Sequence, residues 1–394
     1  MLTNRQLFLQ HVGQTSQAPL LVEIERAKGV YMYGTDGKQY LDLISGISVC
    51  NVGHSHPRIV QAVQEQAARF MHLMVYGEFV EAPQVKFAKA LTDILPVSLN
   101  SVYFTNSGAE ATEGAMKLAK RYTGRTQIIH FKHSYHGSTQ GALSIIGDEY
   151  FKRAFRPLLP DILMLEYGNS NDLKHISSNT AAVILDPVQA ESGVTVPSVA
   201  YMQELRKTCT KQGALLILDE AQTAFGRCGS MFAFEQNGIV PDILLLAKAF
   251  GGGMPLGAFI ADRAIMHTLT DRPVLGHITT FGGHPVSCAA GLAALQVIQD
   301  EKLIADVEQK GQLFESLLHH TKIRSLKRKG LMMALEFDSY EQNKKIIDSC
   351  IEQGVMTDWF LFASNHLRIG PPLIITEQQI RDACAVILNA IEHD

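Results

Sequence analysis

Six short apolar runs punctuate the middle of the chain and limit how it can fold: SVYFTN (101–106), QIIHF (127–131), AAVILD (181–186), ALLILD (214–219), DILLLA (242–247) and GAFIAD (257–262). Stretches with helical spacing lie between them, among them 109–122 ahead of Gly124 and 198–211 ahead of Gly213. Alternation of this kind builds βα units, so the expected fold is α/β with a mainly parallel central sheet. The ends carry other patterns. Residues 20–43 include GVYMYGTDGKQYLD, two β-prone runs about an Asp-Gly turn, which reads as a hairpin. Residues 285–320 are nearly continuous helix pattern, KRKGLMMALEF reads as a strand pair, and a last helix starts at Glu377. The expected division is a large domain at 55–285 and a smaller α+β domain assembled from 1–54 and 286–394.

Composition narrows the class of partner. With 394 residues, 46% of them hydrophobic and 19% charged, the chain has an ordinary globular core. The net charge is −4 and no basic block occurs, so neither nucleic acid nor a membrane surface is an expected partner. The six cysteines are scattered without a C-x-x-C pair, which suits free thiols in a reducing compartment. MLTNRQLFLQHVGQ lacks the pattern of a secretory signal, and no apolar run approaches the ~18 residues of a membrane span. The expectation is a soluble, cytoplasmic protein.

LLILDEAQT (215–223) is an apolar run that breaks into two acids. Asp219 could serve magnesium beside a P-loop, or face a positive group on another cofactor. A P-loop needs G-x-x-x-x-G-K-S/T. The Gly37-Lys38 pair is followed by Gln39, has Met32 in place of the first glycine, and lies in a hairpin turn. The GGGMPLG stretch at 251–257 also lacks the dinucleotide spacing.

A different anion site is visible. Ser107 and Glu110 have capping-box spacing at the start of an amphipathic stretch, which leaves the amides of Gly108 and Ala109 open at a helix N-terminus. Lys248 ends an apolar strand just before three glycines, where partial desolvation would suit an imine-forming amine. Each feature has a plain structural reading, as a helix cap and a snorkelling lysine. Together with Asp219 they match pyridoxal 5'-phosphate, which needs an anion site, a lysine and an acid at the ring nitrogen.

Here the sequence resembles the class III, pyridoxal-phosphate-dependent aminotransferases of fold type I. The resemblance runs through GVYMYGTDGKQYLDLISGISVCNVGHSHP (29–57), NSGAEA (106–111), SYHG (134–137), DPVQAESG (186–193) and LDEAQTAFGRCG (218–229). It continues in LLLAKAFGGGMPLGA (244–258), TTFGGHP (279–285) and LRIGPPL (367–373). It implies an aminotransferase that moves the terminal amine of an ornithine-like, diamine or ω-amino acid donor to a 2-oxo acid. Lys248 would form the Schiff base and shuttle the proton, and Asp219 would pair with the ring nitrogen. Ser107, Gly108 and Ala109 would hold the phosphate, with Tyr135 stacked on the ring and Gln222 near its hydroxyl. Thr280 would reach the phosphate of the neighbouring subunit, implying a homodimer with shared active sites. Arg368 would bind a substrate carboxylate and pair with Glu191 in its absence.

Some residues depart from the pattern. Many acetylornithine, ornithine and 4-aminobutyrate members carry arginine directly after HG, where this chain has Ser138. YHGST and FGGHP lean toward members acting on ω-amines, while the chain length is closer to the ornithine and acetylornithine group. Asp186 replaces a usual glutamate and Ala224 a usual glycine. His130, His133 and His136 straddle a strand and a loop, so no metal is expected there, and Glu220 should face away from Asp219. The rival readings are an aminomutase, racemase or decarboxylase on the same cofactor, or a non-catalytic binding protein on the same fold.

Overall fold

The computed structural model describes residues 2–76 and 79–394. Its centre is a sheet of seven strands: β1 (Ser101–Thr105), β2 (Gln127–Phe131), β3 (Ile162–Leu165), β4 (Thr180–Leu185), β5 (Leu215–Asp219), β6 (Ile243–Leu246) and β7 (Gly257–Ala261). They lie side by side in the order β1-β7-β6-β5-β4-β2-β3. The pairs β3–β2, β2–β4, β4–β5 and β5–β6 are parallel, whereas β7 runs antiparallel to both β1 and β6. The six expected strands all form, and β3 is an addition at the edge.

The sheet is apolar because both of its faces are covered. Val183, Leu185, Leu216, Leu218, Leu244 and Leu246 face one core, while Ala182, Ile184, Leu215, Ile217, Ile243 and Leu245 face the other. That division follows the two-residue period of a strand. Each of these buried Leu and Ile side chains contributes about 1.5–3 kcal/mol relative to exposure. The helix Gly108–Thr123 packs Ala111, Ala115, Leu118 and Ala119 onto the second core and ends at Gly124, whose φ of 68° is left-handed. The helices Ala82–Thr92, Val199–Gln212 and Pro285–Asp300 supply the first.

The termini form a second body with its own core, which includes Leu43, Phe314, Leu335, Ile346, Leu367 and Ile387. The hairpin of Tyr31–Gly34 and Gln39–Asp42 turns at Gly37 and gains Ile24–Lys28 on one side and Val355–Met356 on the other. The strands Ser325–Lys329 and Met332–Glu336 pair as expected within a second four-stranded sheet, and the last helix spans Glu377–Glu392. Two expectations need adjustment. The helical pattern of 285–320 is interrupted by turns at 301–306. Its first helix, Pro285–Asp300, buries Cys288, Ala294 and Val297 in the core of the central sheet, not in the C-terminal body that was expected to begin at residue 286. No helix among the described residues is long and apolar enough to cross a membrane.

Arg227 ties the bodies together. It is fully buried and donates to Asn51 Oδ1 at 2.7 Å and to the carbonyls of Leu331 at 3.0 Å and Pro371 at 2.6 Å. Removing it strands three acceptors at about 1–3 kcal/mol each, partly offset because a guanidinium no longer has to be buried. Arg227→Met is therefore expected to cost about 3 kcal/mol in urea unfolding. A loss below about 1 kcal/mol would contradict this bridging role.

Candidate active site

The carboxyl ends of β1, β5 and β6 open on one edge of the sheet, into a cleft of ≈ 720 Å³. Gly108, Tyr135, Asp219, Gln222 and Lys248 all line it. Its volume falls in the range of small-molecule sites, roughly 300–1,000 Å³.

The anion cradle forms at the end of β1. Ser107 caps the helix Gly108–Thr123, its Oγ accepting from the Glu110 amide at 3.2 Å. The expected capping box is only half made. Glu110 turns its carboxylate to the amide of Asn106 (2.7 Å) and to Asn106 Nδ2 (2.9 Å), not to the amide of Ser107. Helix geometry leaves the amides of Gly108 and Ala109 without an intrahelical acceptor, and both residues line the cleft. Gly108 also sits close to the lysine strand, since a Cβ there would lie 3.2 Å from Ala247 Cβ.

Lys248 follows β6 with a φ of 57°, a left-handed conformation that costs a non-glycine residue about 1–3 kcal/mol. Burial lowers its pKa, and the carboxylates of Glu191, Asp219 and Asp186 only partly oppose this. A lysine so placed has a larger neutral fraction than one in water, and the neutral amine is the nucleophile.

Asp219 is 5% exposed, and both its oxygens are engaged. Oδ1 accepts from the Ala221 amide at 3.0 Å, and Oδ2 meets His136 Nδ1 at 2.7 Å. Burial alone would lower the pKa of His136, but Asp186 and the hydrogen bond to Asp219 outweigh it and hold the pKa above the usual value. Burial pushes Asp186 up to about 7. Held by His136 and the Ala221 amide, Asp219 is suited to face a cationic ring nitrogen. His136, Asp186 and Asp219 are close enough to share a cation, but two of the three already satisfy each other. The sequence assigns His136 no contact with the acid, and this bond is an addition. His130, His133 and His136 do not converge: His133 stacks near Phe362, and His130 is buried in β2. Glu220 faces away and accepts from Thr223 Oγ1 and from the amides of Ala233 and Phe234, each at 2.8 Å.

Behind Gln222 lies a buried charge cluster. Gln222 Nε2 donates to Glu191 Oε1 at 3.0 Å. Arg368 Nη2 donates to Glu191 Oε2 at 3.0 Å, and its Nε donates to Asp358 Oδ1 at 2.8 Å. The guanidinium lies over the Phe360 ring, 4.2 Å from the centroid. The Glu191–Arg368 pair matches the sequence expectation, and Asp358 is a new member. Tyr135 and Ser138 also line the cleft, joined OH to Oγ at 3.1 Å. Thr280 is exposed and does not line the cleft of its own chain, while neighbouring Thr279 accepts from Asn106 Nδ2 at 3.0 Å.

An anion cradle, an acid and a lysine around one cleft fit pyridoxal phosphate. The sequence profile described as "Aminotransferase class-III" matches residues 12–391. The chain belongs to the class-III aminotransferases. An acetylornithine aminotransferase from Methanopyrus kandleri is 37% identical over 386 residues, covering 97% of this chain and 96% of that one. Another from Methanosarcina acetivorans is 39% identical over 388 residues, covering 97% and 94%. The solved ornithine aminotransferase from Toxoplasma gondii with partial occupancy of PLP at its active site superimposes with a TM-score of 0.90 at 30% identity, covering 99% and 94%.

This aminotransferase is thus a pyridoxal-phosphate-dependent enzyme that transfers an amino group from a donor to a 2-oxo acid. Mutase, racemase, decarboxylase and binding-protein readings are not favoured. The bound cofactor supplies an electrophilic carbonyl and an electron sink. The cleft offers an anion cradle, a buried amine and a buried acid.

The charge cluster also makes this aminotransferase sensitive to acid. Burial would raise the pKa of Glu191, but Arg368 and the Leu361 amide override it and hold it at about 2, below the ordinary 4.5. A depressed pKa stabilises the fold above about 4.5, and that stabilisation, roughly 3 kcal/mol, is lost as pH falls from there toward 2. Glu191→Gln is expected to show a shallower loss of unfolding free energy across this window. Equal slopes in denaturation at each pH would contradict the assignment.

Proposed function

We propose that this enzyme moves the terminal amino group of an ω-amine donor to a 2-oxo acid, with Lys248 carrying the cofactor covalently. The convergence of Lys248, Asp219 and the Gly108–Ala109 amides on one cleft carries this reading. The Lys248 amine would hold the cofactor covalently and, when free, would carry the proton of the donor carbon. Asp219, oriented by its hydrogen bond with His136, would keep the ring nitrogen protonated. Ser107, Gly108 and Ala109 would hold the phosphate, and Tyr135 and Gln222, which line the same cleft, would hold the ring. Arg368 takes the acceptor's carboxylate when Glu191 moves aside, a planar fork suited to bidentate contact.

We also propose a homodimer in which Thr280 of the partner subunit completes the phosphate site. Thr280 is exposed, and so are its chain neighbours Ile278 and Phe281, apolar side chains that a second subunit would cover. Free cysteines support the cytoplasm as the working compartment. We propose two domains, with the helix Pro285–Asp300 grouped with the central sheet. Names of the acetylornithine and ornithine relatives support a terminal-amine donor. The test is nitrogen transfer. A terminally ¹⁵N-labelled amine incubated with a 2-oxo acid should yield a ¹⁵N-amino acid by mass spectrometry. Recovery of an unlabelled acceptor across a panel of amines would overturn the reading.

A further inference from the structure

Asp186 lines the cleft, yet the proposed function leaves it without a role. Its position follows from the sheet. Leu185 of β4 and Leu218 of β5 are register partners in parallel strands, so the residues that follow them, Asp186 and Asp219, emerge side by side at the strand ends. Tyr167 ties down the Asp186 backbone, its OH donating to the Asp186 carbonyl at 2.8 Å. One ring nitrogen of His136 and one carboxylate oxygen from each acid lie within 4.8 Å of one another.

Two carboxylates this close in a water-poor site do not both ionise unless a cation joins them. His136 is placed to be that cation. It is buried, its Nδ1 meets Asp219 Oδ2 at 2.7 Å, and its Nε2 makes no hydrogen bond to a described residue. The other titratable groups facing the three are Glu191, Lys248, His130 and Tyr167. Glu191 is paired with Arg368, and Lys248 is assigned to the cofactor. Burial pushes His130 down to about 3 and holds the Tyr167 pKa well above its ordinary value, so both are neutral. Two ionised acids and one imidazolium leave a single negative charge, the match for one positive charge on a cofactor ring.

We propose that Asp186 is a positioning residue that, together with Asp219, keeps a proton on His136 and gives the three groups the net negative charge that holds a protonated ring nitrogen. This rests on the proposed contact between Asp219 and that nitrogen and extends it. Asp219 with the imidazolium alone would present no net charge. Removing the Asp186 charge is therefore answered by the loss of one proton, from His136 or from the ring. Burial raises Asp186 to about 7, so its charge is complete above neutral pH and is lost as pH falls through that value.

Nitrogen NMR of the ¹⁵N-histidine protein reads the proton directly, with the His136 signal identified by its absence from His136→Asn. At about pH 8, above the Asp186 titration, His136 should be protonated in the cofactor-free wild type. In Asp186→Asn its titration midpoint should fall by about two pH units, the worth of one unit charge at this separation. Asp186→Glu restores the charge and should return most of that fall. A packing role would rank the variants the other way, because asparagine keeps the shape of aspartate and glutamate does not. Loaded with pyridoxal phosphate labelled at the ring nitrogen, the wild type should show both that nitrogen and His136 protonated, and Asp186→Asn only one of them. A neutral His136 in the wild type, a fall of less than about one pH unit, or both protons kept in loaded Asp186→Asn would overturn the inference while leaving the Asp219 contact intact. An unprotonated ring nitrogen in the loaded wild type would overturn the Asp219 reading and this inference with it. If Asp186→Asn does not fold, Asp186→Ser is read in its place.

Discussion

Lys248→Ala is expected to lower turnover by roughly 10⁴-fold, the upper end of what one positioned proton carrier contributes. The loss should fall on kcat, because the phosphate grip proposed for Ser107, Gly108 and Ala109 and the ring contact proposed for Asp219 do not involve the lysine. Cofactor should therefore still be retained, noncovalently, and the absorption of the lysine-bound form should be absent. Alanine at 248 keeps the same left-handed backbone, so the fold should change little, which a thermal unfolding midpoint checks. A small primary amine added to the variant should restore part of the rate, since it replaces the missing proton carrier. Turnover within tenfold of wild type would remove Lys248 from the reaction.

Asp219→Asn should cost less, roughly 10²–10³-fold in kcat, the typical worth of one electrostatic group in a water-excluded site. The substitution changes charge and little else. Asparagine has nearly the same shape and still offers an oxygen to the Ala221 amide, now 3.0 Å from Oδ1. It cannot stabilise a protonated ring nitrogen as a carboxylate does. Its neutral amide also removes one of the two acids that hold the His136 pKa up. The variant should therefore keep its fold and its cofactor while the pH–rate profile shifts. Unchanged kcat with a normal spectrum would mean that Asp219 is a structural partner of His136 and nothing more.

Much of this site was legible because its parts lie where local patterns break. Asp219 and Lys248 stand at the ends of apolar runs, and the Ser107 cap announces a helix start. Those signals need only a few neighbouring residues. The parts that were missed depend on distant partners. His136 meets Asp219 across 83 positions, and no local spacing predicts that bond. Asp358 faces Arg368 through the pairing of Trp359–Phe360 with Ala363–Ile369, strands in which one element is only two residues long. The edge strand β3 is four residues long with Met164 half exposed, too weak a pattern beside the buried strands. The helix Pro285–Asp300 looked like part of the C-terminal body because sequence continuity says nothing about which core an apolar face joins.

The central claim is that Lys248 is the residue that carries the cofactor. The most direct test is to load the protein with pyridoxal phosphate, reduce it with borohydride, digest it and locate the fixed cofactor by peptide mass spectrometry. The account predicts a single modified peptide containing Lys248, absent from the Lys248→Ala protein. Modification of another lysine, or none in a protein that retains the cofactor, would contradict it.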